Sequence, residues 1–140
     1  MPKPIRLLAI EDSEADAELE CIELRRSGFE VQLTRVDSLD ALVQALRRGG
    51  WDLILCDHNL PGFSSKEALA TARAEDPEVP FVILSGTIGE EAAVDALKSG
   101  ARDVVIKTNL SRLGTVADRE LREAAARRRH REVEVELQHS

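Results

Sequence analysis

Short apolar runs alternate with longer stretches of helical periodicity along the chain, and the alternation repeats five times. Ile5-Arg6-Leu7-Leu8-Ala9-Ile10 reads as a buried strand, followed by a helix with Ala15, Leu19 and Ile22 at i, i+4 and i+7 as its inward stripe. Ser27-Gly28 supplies the helix stop. Val31-Gln32-Leu33 alternates, but Thr34-Arg35 breaks the pattern before Val36, as suits an edge strand. Ser38 caps a second helix with Leu39, Leu42, Val43 and Leu46 inward, closed by Gly49-Gly50. Asp52-Leu53-Ile54-Leu55-Cys56 is a third strand, apolar enough to be covered on both faces. Ser64-Ser65-Lys66-Glu67 matches a capping box and opens a helix through Ala68, Leu69 and Ala72. Phe81-Val82-Ile83-Leu84 is the fourth strand. Gly89-Glu90-Glu91 opens a fourth helix, with Val94 and Leu97 inward and Gly100 as its stop. Asp103-Val104-Val105-Ile106 is the fifth strand, and a last helix begins near Ser111.

Strands and helices alternating at this spacing imply right-handed crossovers and a parallel sheet. The expected fold class is α/β, a doubly wound five-stranded parallel sheet in the order 2-1-3-4-5. Such sheets bind ligands beyond the carboxyl ends of their strands, at the switch point between strands 1 and 3.

The chain's 140 residues fit one domain. No apolar run approaches the roughly 18 residues that span a bilayer, and the N-terminus lacks the apolar core of a signal peptide. Cys21 and Cys56 have no paired spacing, so a disulfide framework is not expected. These features read as a cytoplasmic protein with no membrane partner. The net charge of −7 disfavours nucleic acid, because phosphate contacts need a basic face. Arg127-Arg128-Arg129-His130-Arg131 is the basic exception, and a solvated helix face is the preferred reading over DNA contact.

The residues following the strands carry the candidate chemistry. Glu11-Asp12 follows strand 1, Asp57 strand 3, Ser85 strand 4 and Lys107 strand 5. In the expected strand order, three carboxylates, a hydroxyl and an ammonium meet at one rim. Clustered carboxylates call for a neutralising cation, and a few hard oxygen ligands suit Mg²⁺ better than zinc. Each residue also has a plainer reading: Asp12 or Ser13 as a helix cap, Asp57 as a turn residue before Pro61-Gly62, Lys107 as a solvated side chain. Their joint placement at the carboxyl ends favours the chemical reading.

Ile10-Glu11-Asp12-Ser13, Leu55-Cys56-Asp57-His58-Asn59-Leu60-Pro61-Gly62, Ile83-Leu84-Ser85-Gly86 and Gly100-Ala101 through Ile106-Lys107 resemble the signature blocks of response-regulator receiver domains in two-component signalling. The resemblance spans residues 5 to about 125 and implies a flavodoxin-like receiver domain over 1–125, with 126–140 an extension of the last helix. It implies that Asp57 is the phosphoacceptor and that Glu11, Asp12, Asp57 and the Asn59 backbone carbonyl hold Mg²⁺. Lys107 and Ser85 would contact phosphoryl oxygens, and Gly86 would leave room for the group. The implied partner is a histidine kinase or histidine phosphotransfer protein. Self-phosphorylation with Mg²⁺ and slow autodephosphorylation are implied, without the role of a dedicated enzyme.

Two positions depart from the family pattern. Val104 stands where many receivers carry a rotating aromatic residue, so a switch would run through the loop after strand 4 and through helix 4. Thr108 replaces the usual proline after the lysine, implying either a trans bond with an altered loop or a strained cis bond. In the last helix, Leu113, Ala117, Leu121 and Ala124 continue an apolar stripe that is lost beyond Ala126. The remainder is a frayed tail or a linker helix toward a homodimer partner or downstream domain. Rival functions are weaker. An aspartyl phosphohydrolase would need a second Asp where Asn59 stands, and a mononucleotide-binding domain would need a glycine-rich loop where Glu11-Asp12-Ser13-Glu14 stands. A receiver-like interaction module that takes no phosphate, or the excised N-terminal receiver of a larger kinase or regulator, completes the alternatives.

Overall fold

The computed structural model describes residues 2–86 and 90–139. Five strands form one parallel sheet: β1 (Lys3–Ile10), β2 (Phe29–Val36), β3 (Leu53–Asp57), β4 (Phe81–Ser85) and β5 (Asp103–Ile106). Their order is β2-β1-β3-β4-β5, as the sequence pattern requires. The connecting helices are α1 (Glu14–Arg26), α2 (Leu39–Arg48), α3 (Ser65–Glu75) and α4 (Glu90–Lys98); α5 (Leu113–His139) follows a 3₁₀ segment, Lys107–Arg112.

Strand side chains alternate between two cores, which is why the strands are apolar throughout. Leu8, Ile10, Ile54, Cys56, Phe81 and Ile83 face α2 and α3. Ile5, Leu7, Leu53, Leu55, Val82, Leu84 and Val105 face α1 and α5. The caps are where the sequence places them. Ser13, Ser38 and Ser64 each accept a backbone N–H in the first helical turn, Ser64 within a full capping box with Glu67. Gly28 takes a φ of +96°, a conformation that lets the chain turn from α1 into β2 and that a side chain would resist. β2 starts at Phe29 and pairs with β1 over eight residues, longer than the broken alternation suggests, and it is an edge strand as expected.

Two helices turn a different face inward from the one their apolar spacing indicates. In α1 the buried residues are Ala17, Glu20, Cys21 and Leu24, while Leu19 and Ile22 lie on the exposed side. The inward stripe therefore contains a carboxyl that hydrophobic periodicity cannot count. In α4, Val94 and Leu97 are exposed and Ala96 packs on the core, because a short helix against β4 and β5 presents its small residues to the sheet. The expected helix start at Gly89 lies outside the described residues.

α5 buries Leu113, Val116, Ala117, Leu121 and Ala124 and then continues as helix to His139. Arg131 Nη1 lies 2.8 Å from Glu78 Oε1, tying this continuation to the loop between α3 and β4. The Lys107–Thr108 bond is trans, and the chain turns directly into the 3₁₀ segment. No helix among the described residues is long and apolar enough to cross a membrane.

Candidate functional site

The parallel register brings the strand ends together. Ile10 pairs with Cys56 and Asp57 with Leu84, so Glu11 and Asp57 emerge at one rim. Ser85 pairs with Ile106, which sets Lys107 one residue further along the same rim. Asp57 closes β3 as its last residue and is 6% exposed; Glu11 is 1% exposed. Asp12 is exposed.

Lys107 Nζ lies at the centre of the carboxylates. It is 3.1 Å from Asp16 Oδ2, 3.2 Å from Asp57 Oδ2 and 3.5 Å from Glu11 Oε2. The Asn59 backbone N–H donates to Asp57 Oδ1 at 3.1 Å, fixing the carboxylate from the other side. The Ser13 N–H donates to Glu11 Oε1 at 3.1 Å, while the Ser13 hydroxyl accepts from the Asp16 N–H at 3.2 Å. The loop after β1 and the start of α1 thus form one hydrogen-bonded unit around the lysine.

Burial pushes the Glu11 carboxyl up to about 7, with the charge of Asp57 adding to it and the Ser13 N–H opposing it. Burial would lower the Lys107 pKa, but hydrogen bonds to Asp16 and Asp57 outweigh it and raise the ammonium above its ordinary range. Carboxylate oxygens of Glu11, Asp12 and Asp57 come within 4.8 Å of one another. This all-oxygen set, with no thiolate or imidazole in it, fits a hard divalent cation such as Mg²⁺.

Ser85 Oγ is fully buried and has no hydrogen-bond partner among the described residues. A buried hydroxyl left open at a site rim is costly unless a ligand oxygen completes it. His58, next to Asp57, turns away from the acidic rim, its Nδ1 lying 3.1 Å from Ser65 Oγ.

The structure therefore gathers Glu11, Asp12, Asp57 and Lys107 in one notch, with Asn59 supporting Asp57 through its N–H and Ser85 at the end of the neighbouring strand. Sequence reasoning missed two carboxyls. Asp16 contacts Lys107 directly, and Glu20 is buried one turn further along α1 with its Oε2 unpartnered among the described residues. The signal was present in the spacing: positions 16 and 20 are both acidic and lie four apart within α1, which places them along one helical face.

A family model described as the response regulator receiver domain matches residues 7–117. Among relatives, the cell cycle response regulator CtrA of Brucella ovis is 36% identical over 103 residues, covering 74% of this chain and 44% of that protein. Response regulator protein FleR of Pseudomonas aeruginosa is 29% identical over 102 residues, covering 73% of this chain and 21% of that protein. The chain thus spans less than half the length of these curated relatives. Among solved structures, NtrX from Brucella abortus superposes with a TM-score of 0.80 at 26% identity, over 95% of this chain and 30% of that one. A CheY-like receiver domain protein from Methanospirillum hungatei shares the fold, with a TM-score of 0.74 at 23% identity over 91% and 99% of the two chains. With a matched segment that spans the sheet and both sides of the acidic notch, the chain belongs to the response regulator receiver domain family.

Proposed function

We propose that Asp57 accepts a phosphoryl group from a phosphohistidine on a histidine kinase or histidine phosphotransfer protein and carries it as an acyl phosphate. The observation that carries this reading is the Lys107 Nζ–Asp57 Oδ2 contact of 3.2 Å where the Asp57 carboxylate converges with those of Glu11 and Asp12. An Asp57 oxygen attacks phosphorus, the phosphorus–nitrogen bond to the donor imidazole breaks, and the imidazole leaves with its electron pair. Lys107 meets charge on a phosphoryl oxygen, and Ser85 donates its hydroxyl to another. Glu11, Asp12, Asp57 and the Asn59 backbone carbonyl would hold Mg²⁺. When bound, Mg²⁺ neutralises the repulsion between the anionic nucleophile and the anionic phosphoryl group. Later attack by water on the acyl phosphate returns Asp57 to the free carboxylate, a slow self-limiting step rather than turnover of an external substrate.

Signalling follows from differential binding. The phosphoryl group stabilises whichever arrangement brings Ser85 and Lys107 to it, and only that preference shifts the population. Val104 offers no aromatic rotor, so the shift runs through α4; most of the loop before it lies outside the described residues. The receiver unit comprises residues 1–125, and the segment 126–140 serves as a linker toward a downstream domain or second subunit.

Mass spectrometry after incubation with acetyl phosphate and Mg²⁺ tests the reading. Wild type should gain one base- and hydroxylamine-labile phosphoryl group at position 57, and Asp57→Asn should gain none. Absence of label from wild type with both acetyl phosphate and a phosphorylated histidine donor would overturn it, leaving the non-phosphorylated interaction module.

A further inference from the structure

We propose that Asp16 is a positioning residue for Lys107, the carboxylate that keeps the ammonium in the notch while its other two partners are diverted by the reaction; this rests on the reading of Asp57 as phosphoacceptor. An ammonium has three N–H donors, and Lys107 directs them toward three carboxylates, with the Asp16 oxygen at 3.1 Å the nearest. The reaction treats the three partners unequally. Asp57 becomes a mixed anhydride on accepting the phosphoryl group, so its carboxylate charge disappears. Glu11 belongs to the converging carboxylate group that suits a divalent cation. Asp16 stands outside that group and is unchanged by the chemistry. Among the lysine's carboxylate partners, it alone retains both its charge and its freedom from the metal set throughout the transfer.

The seat is also rigid. Asp16 lies in the first turn of α1, and its N–H is held by the capping Ser13 hydroxyl. The Ser13 N–H in turn holds Glu11. Lys107 by contrast is a long side chain at a strand end, 26% exposed, with about 2 kcal/mol of rotamer freedom to lose on being fixed. Glu20 offers no substitute, being buried one turn below with no ion pair to Lys107 among the described residues. Asp16 therefore supplies the pre-organisation that aims the ammonium at the oxygen position beside Asp57.

Two measurements test this. In metal-free protein labelled with ¹⁵N-lysine, the chain has four lysines, and Lys107→Arg assigns the fourth signal. The Lys107 ammonium should exchange slowly in wild type, broaden in Asp16→Asn, and recover in Asp16→Glu. The second measurement is a double-mutant cycle on the rate of phosphorylation by acetyl phosphate. Asp16→Asn should slow transfer about three- to tenfold with Lys107 present, and less than about twofold in a Lys107→Ala background. Unchanged ammonium exchange in Asp16→Asn, or equal slowing in both backgrounds, overturns the proposal while leaving Asp57 as acceptor. Failure of wild type to gain phosphate overturns the acceptor reading, and this one with it.

Discussion

Glu20 should make the protein lose stability steadily as pH rises from about 5 to about 8. Its side chain is 2% exposed on the inward face of α1, and its Oε2 has no hydrogen-bond partner among the described residues. Burial, reinforced by the negative charge of Glu11, pushes its pKa from 4.5 up to about 8. The folded state thus holds the proton more tightly than the unfolded chain. The group carries no penalty below pH 4.5, where both states are protonated, and its full penalty develops as pH rises through about 8. With those two values the linkage cost is about 1 kcal/mol at pH 5, about 3 at pH 7 and about 4 at pH 8. Glu20→Gln keeps the shape and removes the titration, so its advantage over wild type should grow by about 2 kcal/mol between pH 5 and pH 7. Urea unfolding of both proteins across pH 5–8 measures that gap directly. A gap that stays constant with pH would refute the reasoning, since it would place the Glu20 carboxyl in water or in an ion pair.

Other outcomes follow from individual contacts. Ser85→Ala should leave the stability of the unphosphorylated protein unchanged or raise it by up to about 1 kcal/mol, because Ser85 Oγ has no hydrogen-bond partner among the described residues, yet it should slow phosphorylation; a clear drop in melting temperature would contradict this. Phe81→Ala, at a fully buried central-strand position, should cost about 3–5 kcal/mol in denaturant unfolding, and a loss under 1 kcal/mol would mean the core collapses into the space. Ser64→Ala removes the capping box of α3 and should cost about 1 kcal/mol, with amide exchange speeding up first near residues 65–68. Gly28→Ala meets nothing within 4 Å but must adopt φ near +96°, so it should destabilise by about 1 kcal/mol through backbone strain alone, readable as a lower denaturation midpoint at unchanged slope.

Local chemistry made much of the protein legible. The apolar runs of β1, β3 and β4, the Ser-based caps and the glycine stops report on interactions within a few residues, so the order of elements and the parallel topology follow from the pattern. The same holds for Glu11, Asp12, Asp57, Ser85 and Lys107: a parallel sheet puts every strand's carboxyl end at one rim, so residues at those ends must become neighbours. Tertiary structure alone decided which way the helices face. Spacing favoured Ala15, Leu19 and Ile22 in α1, but packing beside Lys107 and α5 turned Ala17, Glu20, Cys21 and Leu24 inward. Likewise Val94 and Leu97 of α4 point outward although they are its largest apolar residues. Hydrophobic periodicity measures average polarity around a helix, and it assigns a buried carboxyl to the wrong side. The roles of Asp16 and Glu20 therefore depend on helix rotation against the sheet, a property of the packed molecule and not of any short stretch of chain.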